Sequence, residues 1–188
     1  MKPILIDFPD KILTERLYIR PCLPGDGKEV YESMQRSKKE LQKWMPFANQ
    51  AQTMDGVEEN IRKAYAKFIL KEDIRLHIYL KKNNTFIGST GLHSIDWEVR
   101  SFEIGYWCDT SFTGNGYIQE STKTLISFAR ETLEAKRIEI RCDALNHNSR
   151  AIPEKLGFTL DGILQNESLS ADGSNLRDTC IYSLTTFS

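Results

Sequence analysis

A strand that turns through a glycine loop directly into a helix constrains the fold of this chain more than any other feature. Phe102, Ile104 and Tyr106 alternate with other residues, which predicts a strand with one apolar face. The loop at residues 113–117 reads Thr-Gly-Asn-Gly-Tyr, and residues 118–133 then repeat apolar side chains at helical spacing. The helix must pack on the sheet from which it emerges, so a layered fold of helices and strands is expected.

The same loop has the chemistry of an anion site. Gly114 and Gly116 allow backbone angles that other residues resist, and they let the main chain approach a bulky group. The first N–H groups of the following helix have no intrahelical partner and carry partial positive charge. Such a loop can bind a diphosphate without a Lys or Arg. A loop that only turns the chain is the alternative interpretation of the glycines alone.

Two other nucleotide motifs do not match this loop. A P-loop would end in Gly-Lys-Ser/Thr, which is absent. A dinucleotide-binding fingerprint would have a third glycine where Gln119 stands, and it would follow the first strand of a βαβ unit. Neither motif therefore accounts for the predicted diphosphate site.

The rest of the pattern predicts one domain of mixed α/β (α+β) class. The chain has 188 residues, with no internal repeat and no Pro/Gly/Ser linker. Two helices are predicted before residue 76, and a short one from Ser149 to Leu156. Hairpins favour a mixed sheet over a doubly wound parallel one. Strands are predicted at residues 17–20, 76–80, 86–92, 102–107 and 137–142, with two more near the C-terminus.

Composition excludes several classes of function. The formal net charge of −1 gives no overall field for nucleic acid. The four cysteines lie far apart, without a C-x-x-C pair or a His at ligand spacing, so reduced and mostly buried thiols are expected rather than disulfides or a metal site. No apolar stretch has the length of a signal peptide or a membrane span, which makes the cytoplasm the expected location.

Several blocks of the sequence occur in an order and spacing that resembles the GNAT-fold N-acetyltransferases, and specifically the RimJ/RimL type that acetylates ribosomal protein N-termini. The resemblance covers nearly the whole chain. It implies an N-terminal extension at residues 1–11 and one acetyltransferase domain at residues 12–188. It also implies a mostly antiparallel sheet of about seven strands with a splayed central strand. The blocks are residues 14–20, 87–93, 103–107, 114–117, 146–149 and 155–158.

The resemblance implies acetyl-CoA as co-substrate, without a metal. Pantetheine would bind like an extra strand along the splayed strand, where a free N–H would face the thioester oxygen. Asn146 has a helix N-cap as its alternative role. Ser111 replaces the Arg or Gln that usually opens the family's pyrophosphate motif, so weaker cofactor affinity is expected. The implied cofactor-binding residues are Trp107, Cys108, Asp109, Gly114, Asn115, Gly116, Tyr117, Asn146 and Ser149.

Two residues match the catalytic positions of this subgroup. Ser149 would protonate the departing thiolate, although an ordinary Ser in the first turn of a helix is the alternative. Glu167 would be the general base, and an exposed strand carboxylate is its alternative. Because a model Glu has a pKa of about 4.3, the site must raise the pKa of Glu167 by partial burial, or the carboxylate must act through water.

Three further segments carry structural expectations. Pro153 should be tolerated only in the first turn of its short helix. The apolar run at residues 41–47 is expected to connect the first two helices and to pack on the domain, with a place in the acceptor wall as the alternative. His93 is expected to make a buried hydrogen bond, with a place in the acceptor cleft as the alternative.

The implied reaction is direct transfer of acetyl to a primary amine, without a covalent enzyme intermediate. A protein N-terminal α-amine is the expected acceptor, because its pKa of about 7.7 to 8.0 leaves part of it neutral at pH 7. A small amine such as a polyamine or an aminoglycoside is the alternative substrate. A non-catalytic acyl-CoA-binding sensor is the alternative class, and a homodimer is compatible with the resemblance.

Overall fold

Helices and strands follow the order that the sequence pattern predicts. The computed structural model describes residues 2–186; Met1 and residues 187–188, which belong to the predicted extension and domain, lie outside the described residues. The strands are β1 (Ile12–Leu13), β2 (Leu17–Pro21), β3 (Ile74–Leu80), β4 (Phe86–Asp96), β5 (Ser101–Cys108), β6 (Arg137–Asp143), β7 (Thr159–Leu169) and β8 (Leu176–Leu184). The helices are α1 (Gly27–Trp44), α2 (Met54–Leu70), α3 (Tyr117–Thr132) and α4 (His147–Lys155). Short 3₁₀ turns cover Pro3–Leu5, Pro46–Asn49 and Thr110–Phe112.

Within residues 2–186, eight strands form one sheet in the order β1-β2-β3-β4-β5-β6-β8-β7. Neighbouring strands are antiparallel except for β5 and β6, which are parallel. The prediction of a mixed, mostly antiparallel sheet is therefore confirmed. The two-residue strand β1 accounts for the difference from the predicted number of about seven.

The sheet opens between β5 and β6. The two strands pair only at Ser101–Glu103 with Arg137–Glu139, although β5 continues to Cys108 and β6 to Asp143. The splayed central strand is therefore confirmed. The register shift of the β4–β5 pair lies between His93 and Asp96, at the end of β5 opposite to the opening.

Helices cover both faces of the sheet. On one face, Leu125 of α3 packs in the main core cluster with Phe102, Ile104 and Ile138. Each of these side chains is at most 1% exposed, and they fall on the positions that strand and helix periodicity predicts. The alternation of β5 and β6 thus turns one set of side chains to α3 and the other set to the opposite face.

Helices α1 and α2 lie on that opposite face. Val57 and Ile61 of α2 are buried with Tyr18 of β2. Ile69 of α2 is 46% exposed, because it lies past the last position of the apolar stripe that faces the sheet. The apolar run at residues 41–47 is only partly a connection, since α1 continues to Trp44.

The segment before β1 packs on the same core. The ring of Phe8 lies 5.2 Å from that of Phe68 and 4.8 Å from that of Phe128, edge to face. The division into an extension and a domain stays a prediction. No helix among the described residues is long and apolar enough to cross a bilayer.

Candidate active site: an open cleft and a cavity on opposite sides of the sheet

The glycine loop leads from the 3₁₀ turn after β5 into the first turn of α3. Gly114 and Gly116 have φ angles of +78° and +76°, in the left-handed region that favours glycine. Residues 113–116 are exposed, and Gly116 is the N-cap of α3. The amide of Glu120 donates to the Gly116 carbonyl at 3.0 Å. The amides between these residues therefore lack an intrahelical partner and are available to an anion.

Arg16 supplies a cation beside this loop. One guanidinium nitrogen lies 3.6 Å from the position that a Cβ on Gly116 would occupy. Its Nε donates to Glu120 at 2.7 Å, and the guanidinium lies 4.6 Å from the centroid of the Tyr117 ring. Sequence reasoning missed this residue, because it is about 100 positions from the loop. Ser111, at the position where the family usually has Arg or Gln, is exposed and carries no charge.

Asp109 connects the end of β5 to α1. Its buried carboxylate accepts hydrogen bonds from Ser33 Oγ at 2.7 Å and Arg36 Nη2 at 2.8 Å. Burial acts to raise the pKa of Asp109, but hydrogen bonds from Ser111, Ser33 and Arg36 lower it overall. The Asp109 N–H donates to Ile87 O at 2.8 Å. The N–H of Asp109 is therefore not available to a cofactor.

The opening itself is bordered by Trp107 and Cys108. Successive amides of a regular strand point to alternate sides, and the Asp109 amide points to β4. The Cys108 amide therefore faces the opening between β5 and β6. The side chain of Trp107 lies on the α1–α2 face, with its ring 5.7 Å from that of Phe86.

Ser149 is held at the opening by Tyr106 of β5. The Tyr106 hydroxyl donates to the Ser149 carbonyl at 2.9 Å and lies 3.4 Å from the Ser149 hydroxyl, which donates to it. Pro153 explains the first bond. It has no N–H to donate to the carbonyl four residues earlier, which leaves that carbonyl of Ser149 free for Tyr106. Pro153 lies beyond the first turn of α4, so our expectation for its position is wrong.

Asn146 is the N-cap of α4, as the alternative interpretation proposed. Its Oδ1 accepts from the Ser149 amide at 3.1 Å. Its side-chain amide nitrogen donates to no other residue among 2–186, and it lies just beyond the end of β6. The cap uses the oxygen and leaves the nitrogen for another acceptor.

The thiols near the opening are poor nucleophiles. All four cysteines are free. Burial raises the pKa of Cys108 to about 12 and that of Cys142 to about 11. Both thiols therefore stay protonated near neutral pH. Within residues 2–186, no cluster of His, Cys, Asp and Glu side chains could hold a metal ion.

Glu167 lies on β7, on the face of the sheet away from α3. It accepts from Arg141 Nη2 at 2.9 Å and from Thr179 Oγ1 at 2.8 Å. The hydrogen bond from Thr179 lowers the pKa of Glu167 and outweighs the small effect of burial. A raised pKa, one of the two routes by which Glu167 was expected to act as a base, is therefore wrong. Action through water is the route that remains.

A cavity of about 570 Å³ lies between the sheet and α1 and α2. Its apolar wall includes Met34 of α1 and Val57 of α2. Met45 and Phe47 also line it, so part of the run at residues 41–47 forms a wall of this cavity, and its role as a wall of the acceptor site stays a prediction. Trp107 lines the cavity from the sheet, on the strand that borders the opening.

A buried ion network holds α1 against the sheet beneath this cavity. Asp26, just before α1, accepts from both terminal guanidinium nitrogens of Arg20 at 2.8 Å, and His77 Nδ1 lies 2.8 Å away. Burial acts to raise the pKa of Asp26, but the bonds to His77 and Arg20 lower it overall. Burial lowers the pKa of His77, which is 1% exposed, so the ring is neutral near pH 7.

His93 makes the predicted hydrogen bond and also lines the cavity. Its Nδ1 lies 2.7 Å from Asp73 Oδ2, and the side chain is 30% exposed. The hydrogen bond is thus only partly buried, and the place of His93 in an acceptor cleft stays a prediction. Its partner could not be identified from the sequence, because Asp73 lies 20 positions away in a turn between α2 and β3.

Among solved structures, this fold has a close counterpart. The RimL ribosomal L7/L12 α-N-protein acetyltransferase in complex with coenzyme A superimposes with a TM-score of 0.87, over 93% of this chain and 97% of that chain. Its sequence identity is 19%, so this likeness concerns the fold alone. The sheet that opens between two parallel strands, with the glycine loop at its edge, is that of the GNAT class.

The sequence comparisons specify the family. Residues 16–159 match the family model for the acetyltransferase (GNAT) domain, and the chain belongs to this family. It is 32% identical to "Putative ribosomal N-acetyltransferase YdaF" of Bacillus subtilis, strain 168, over 92% of each chain. It is 26% identical to "Ribosomal-protein-serine acetyltransferase" of Escherichia coli K12, over 81% of this chain and 84% of that protein. The chain is an N-acetyltransferase of the RimJ/RimL-like subgroup.

Proposed function

We propose that this enzyme transfers the acetyl group of acetyl-CoA directly to the N-terminal α-amine of a protein, and that this protein is ribosomal. The observation that carries the proposal is the opening between β5 and β6. The glycine loop and Ser149 lie at this opening on one side of the sheet, and an open cavity lies on the other side. The names of the relatives in Bacillus subtilis and Escherichia coli support a ribosomal acceptor.

The cofactor would bind mainly to the main chain. Amides of Gly114, Asn115, Gly116 and Tyr117 would hold the pyrophosphate, with Arg16 as the adjacent cation. Pantetheine would extend along the free edge of β5, beside Trp107 and Cys108. Both backbone groups of Asp109 are engaged within the protein, since its N–H donates to Ile87 O and its carbonyl accepts from the Phe112 N–H at 2.9 Å.

At the inner end of the opening, Asn146 would donate its side-chain amide to the pantetheine arm. The Cys108 amide, which faces the opening, would stabilise the negative charge that develops on the thioester oxygen. Bound acetyl-CoA would thereby present its carbonyl carbon to the cavity side of the sheet.

The protonated thiols support direct transfer. A protonated Cys108 or Cys142 cannot readily take up the acetyl group, so the amine would attack the thioester carbon itself. Ser149 would donate a proton to the departing thiolate, since its hydroxyl is held by Tyr106 at the opening.

Glu167 would act on the acceptor side. Its low pKa keeps the carboxylate negative near pH 7, so it would attract the acceptor ammonium, and any proton it receives would reach it through water. Because a ribosomal protein is the proposed acceptor, we propose the cytoplasm as the site of action.

A thiol-release assay tests the proposal. Acetyl-CoA is mixed with the enzyme and a panel of N-terminal peptides, polyamines and aminoglycosides, with each peptide also supplied with a blocked N-terminus as the matched control. Release with free peptides, but not with blocked ones, is expected. Release only with polyamines or aminoglycosides would identify a small-amine enzyme. Binding of acetyl-CoA without release by any amine would identify a sensor.

A further inference from the structure

The imidazole of His93 lies over two glycines of neighbouring strands. A Cβ built on Gly91 would lie 2.9 Å from both Cε1 and Nε2 of the ring, and one on Gly105 would lie 3.2 Å from Nε2. Gly91 and Gly105 are paired across β4 and β5. The ring therefore fills the space that side chains would occupy at these two positions, on the face that carries α1 and α2.

Asp73 fixes the orientation of this ring. Its Oδ2 lies 2.7 Å from His93 Nδ1. Burial acts to raise the pKa of Asp73, but the hydrogen bond with His93 and nearby cations lower it, so the carboxylate is charged. A carboxylate at Nδ1 favours the tautomer with its proton on that nitrogen, which leaves a lone pair on Nε2. Among residues 2–186, none donates a hydrogen bond to Nε2.

The Nε2 atom is near both halves of the proposed reaction. His93 lines the cavity together with Gly105 and Trp107 of β5. These β5 residues belong to the part of the strand that has no partner in β6 and borders the opening. A group at Nε2 can therefore reach an amine in the cavity while that amine faces a thioester in the opening.

We propose that His93 Nε2 is the general base that takes a proton from the acceptor ammonium, with Asp73 as the positioning residue for its ring. The inference rests on the proposed acetylation of amines. A bound R–NH₃⁺ gives one proton to Nε2. The lone pair of the resulting neutral amine then forms the N–C bond to the thioester carbon. The C–S bond breaks, coenzyme A leaves as the thiolate, and the second nitrogen proton neutralises that thiolate through Ser149. His93 returns its proton to water.

Charged groups of both signs surround the His93–Asp73 pair. Arg75 of β3 and Lys67 of α2 act on the Asp73 carboxylate, and Glu103 of β5 is the register partner of His93. None of these side chains is placed over Gly91 and Gly105 as the His93 ring is. The contacts with Gly91, Gly105 and Asp73 thus position the His93 imidazole where the cavity meets the opening between β5 and β6.

The experiment compares His93→Gln with Glu167→Gln by the pH dependence of kcat/KM for a free N-terminal peptide, in the thiol-release assay between pH 5.5 and 9.5. We expect His93→Gln to lower kcat/KM at pH 7 by about 100-fold and to remove the rise in rate that accompanies loss of a proton from the enzyme. The Kd for coenzyme A should change less than about twofold. Glu167→Gln should keep that rise, and Asp73→Asn should lower the rate about tenfold, with Asp73→Glu retaining more activity.

Imidazole rescue makes the test independent of ring packing. In His93→Ala, added imidazole should restore part of the rate in proportion to its neutral fraction. A full rate and an unchanged pH profile in His93→Gln would overturn the proposal, above all if Glu167→Gln lost the rise. His93 would have only a structural role under one outcome. In that outcome, all His93 variants lose coenzyme A binding in step with folded protein, and imidazole restores no activity. Failure of the wild type to release thiol with any amine would instead contradict the proposed function.

Discussion

The proposed cofactor side and the proposed acceptor side of this protein differ in the kind of atoms that form them. On the proposed cofactor side, the available groups are consecutive amides at the start of α3 and along the free edge of β5. On the proposed acceptor side, the cavity is lined by side chains from α1, α2 and the sheet, and hydrogen-bonded pairs such as Asp73–His93 are distant in sequence. Main-chain sites depend on local conformation, whereas side-chain sites depend on how separate segments pack. Substitutions should therefore affect the two sides in different ways.

The largest effect on coenzyme A binding should come from backbone strain in the glycine loop. At Gly116, a β-branched residue would have to adopt a φ near +76°, which costs on the order of 1–3 kcal/mol. A Cβ there would meet no atom closer than 3.6 Å, so the effect would come from backbone conformation rather than a clash. We expect Gly116→Val to raise the Kd for coenzyme A at least about tenfold, measured by calorimetry.

Gly173→Val is the matched control. Gly173 has a φ of +75°, and a Cβ there would also meet no neighbour within 4 Å. It lies in the turn between β7 and β8, remote in the sheet order from β5. The control should lose similar stability and keep its Kd for coenzyme A. An equal loss of affinity in both variants would mean that general destabilisation, and not the loop, controls binding.

The next largest effect, on kcat, should follow from removing the contact between Tyr106 and Ser149. Tyr106→Phe leaves the Ser149 carbonyl without its donor and releases the Ser149 hydroxyl. An unsatisfied acceptor costs about 1–3 kcal/mol, and we expect kcat to fall about tenfold with little change in the Kd for coenzyme A.

A double-mutant cycle with Pro153→Ala isolates this contact. The substitution supplies a backbone N–H for the Ser149 carbonyl, so Tyr106→Phe should cost less stability in that background. Equal costs in both backgrounds, by urea unfolding, would contradict the role assigned to Pro153.

A smaller effect, on the free energy of unfolding, is expected when the pH is lowered. The folded state keeps His77 neutral, because burial lowers its pKa below 6.5, whereas the unfolded chain binds a proton as pH falls through that value. The free energy of unfolding should therefore fall below pH 6.5, by at most about 1.4 kcal/mol per pH unit for one proton. Asp26 has a lowered pKa in the folded state, so its contribution to the free energy of unfolding is lost only below about pH 3.8.

Urea unfolding at pH 7.5 and 5.5 measures this difference. His77→Asn should flatten the pH dependence between these values. An equally steep dependence in the variant would assign the acid sensitivity to another group.

The smallest effect is expected for Arg16, because its side chain is 45% exposed and solvent screens its charge. Arg16→Gln should raise the Kd for coenzyme A about threefold at low salt and less at high salt. Arg62→Gln removes an exposed cation of α2 that also pairs with a Glu, and it should leave the Kd unchanged. If Glu120→Gln weakens binding as much as Arg16→Gln does, the pair acts by holding the loop rather than by contacting phosphate.

The same contrast explains how much could be predicted from sequence. The mixed sheet and the loop at residues 113–117 depend on period and local residue type, and they could be predicted. The splayed strand was implied by the resemblance to the family. Which amide near the end of β5 is free could not be predicted, because the partner of the Asp109 N–H, Ile87, lies on another strand. Pairs such as Asp73–His93 and Arg16–Glu120 form only on packing. Pro153 was the one local signal for the Tyr106 contact, since a proline inside a helix always leaves a carbonyl free.

The most direct test of the account is the position of the acetyl group on a single peptide. The peptide carries a free N-terminal serine α-amine and an internal lysine, and it is incubated with enzyme and acetyl-CoA near neutral pH and sequenced by mass spectrometry. The account predicts acetyl on the α-amine alone, because that amine has a pKa near 8 whereas lysine has one near 10.4. Acetyl on the lysine, or no acetyl on the peptide while acetyl-CoA is bound, would contradict it.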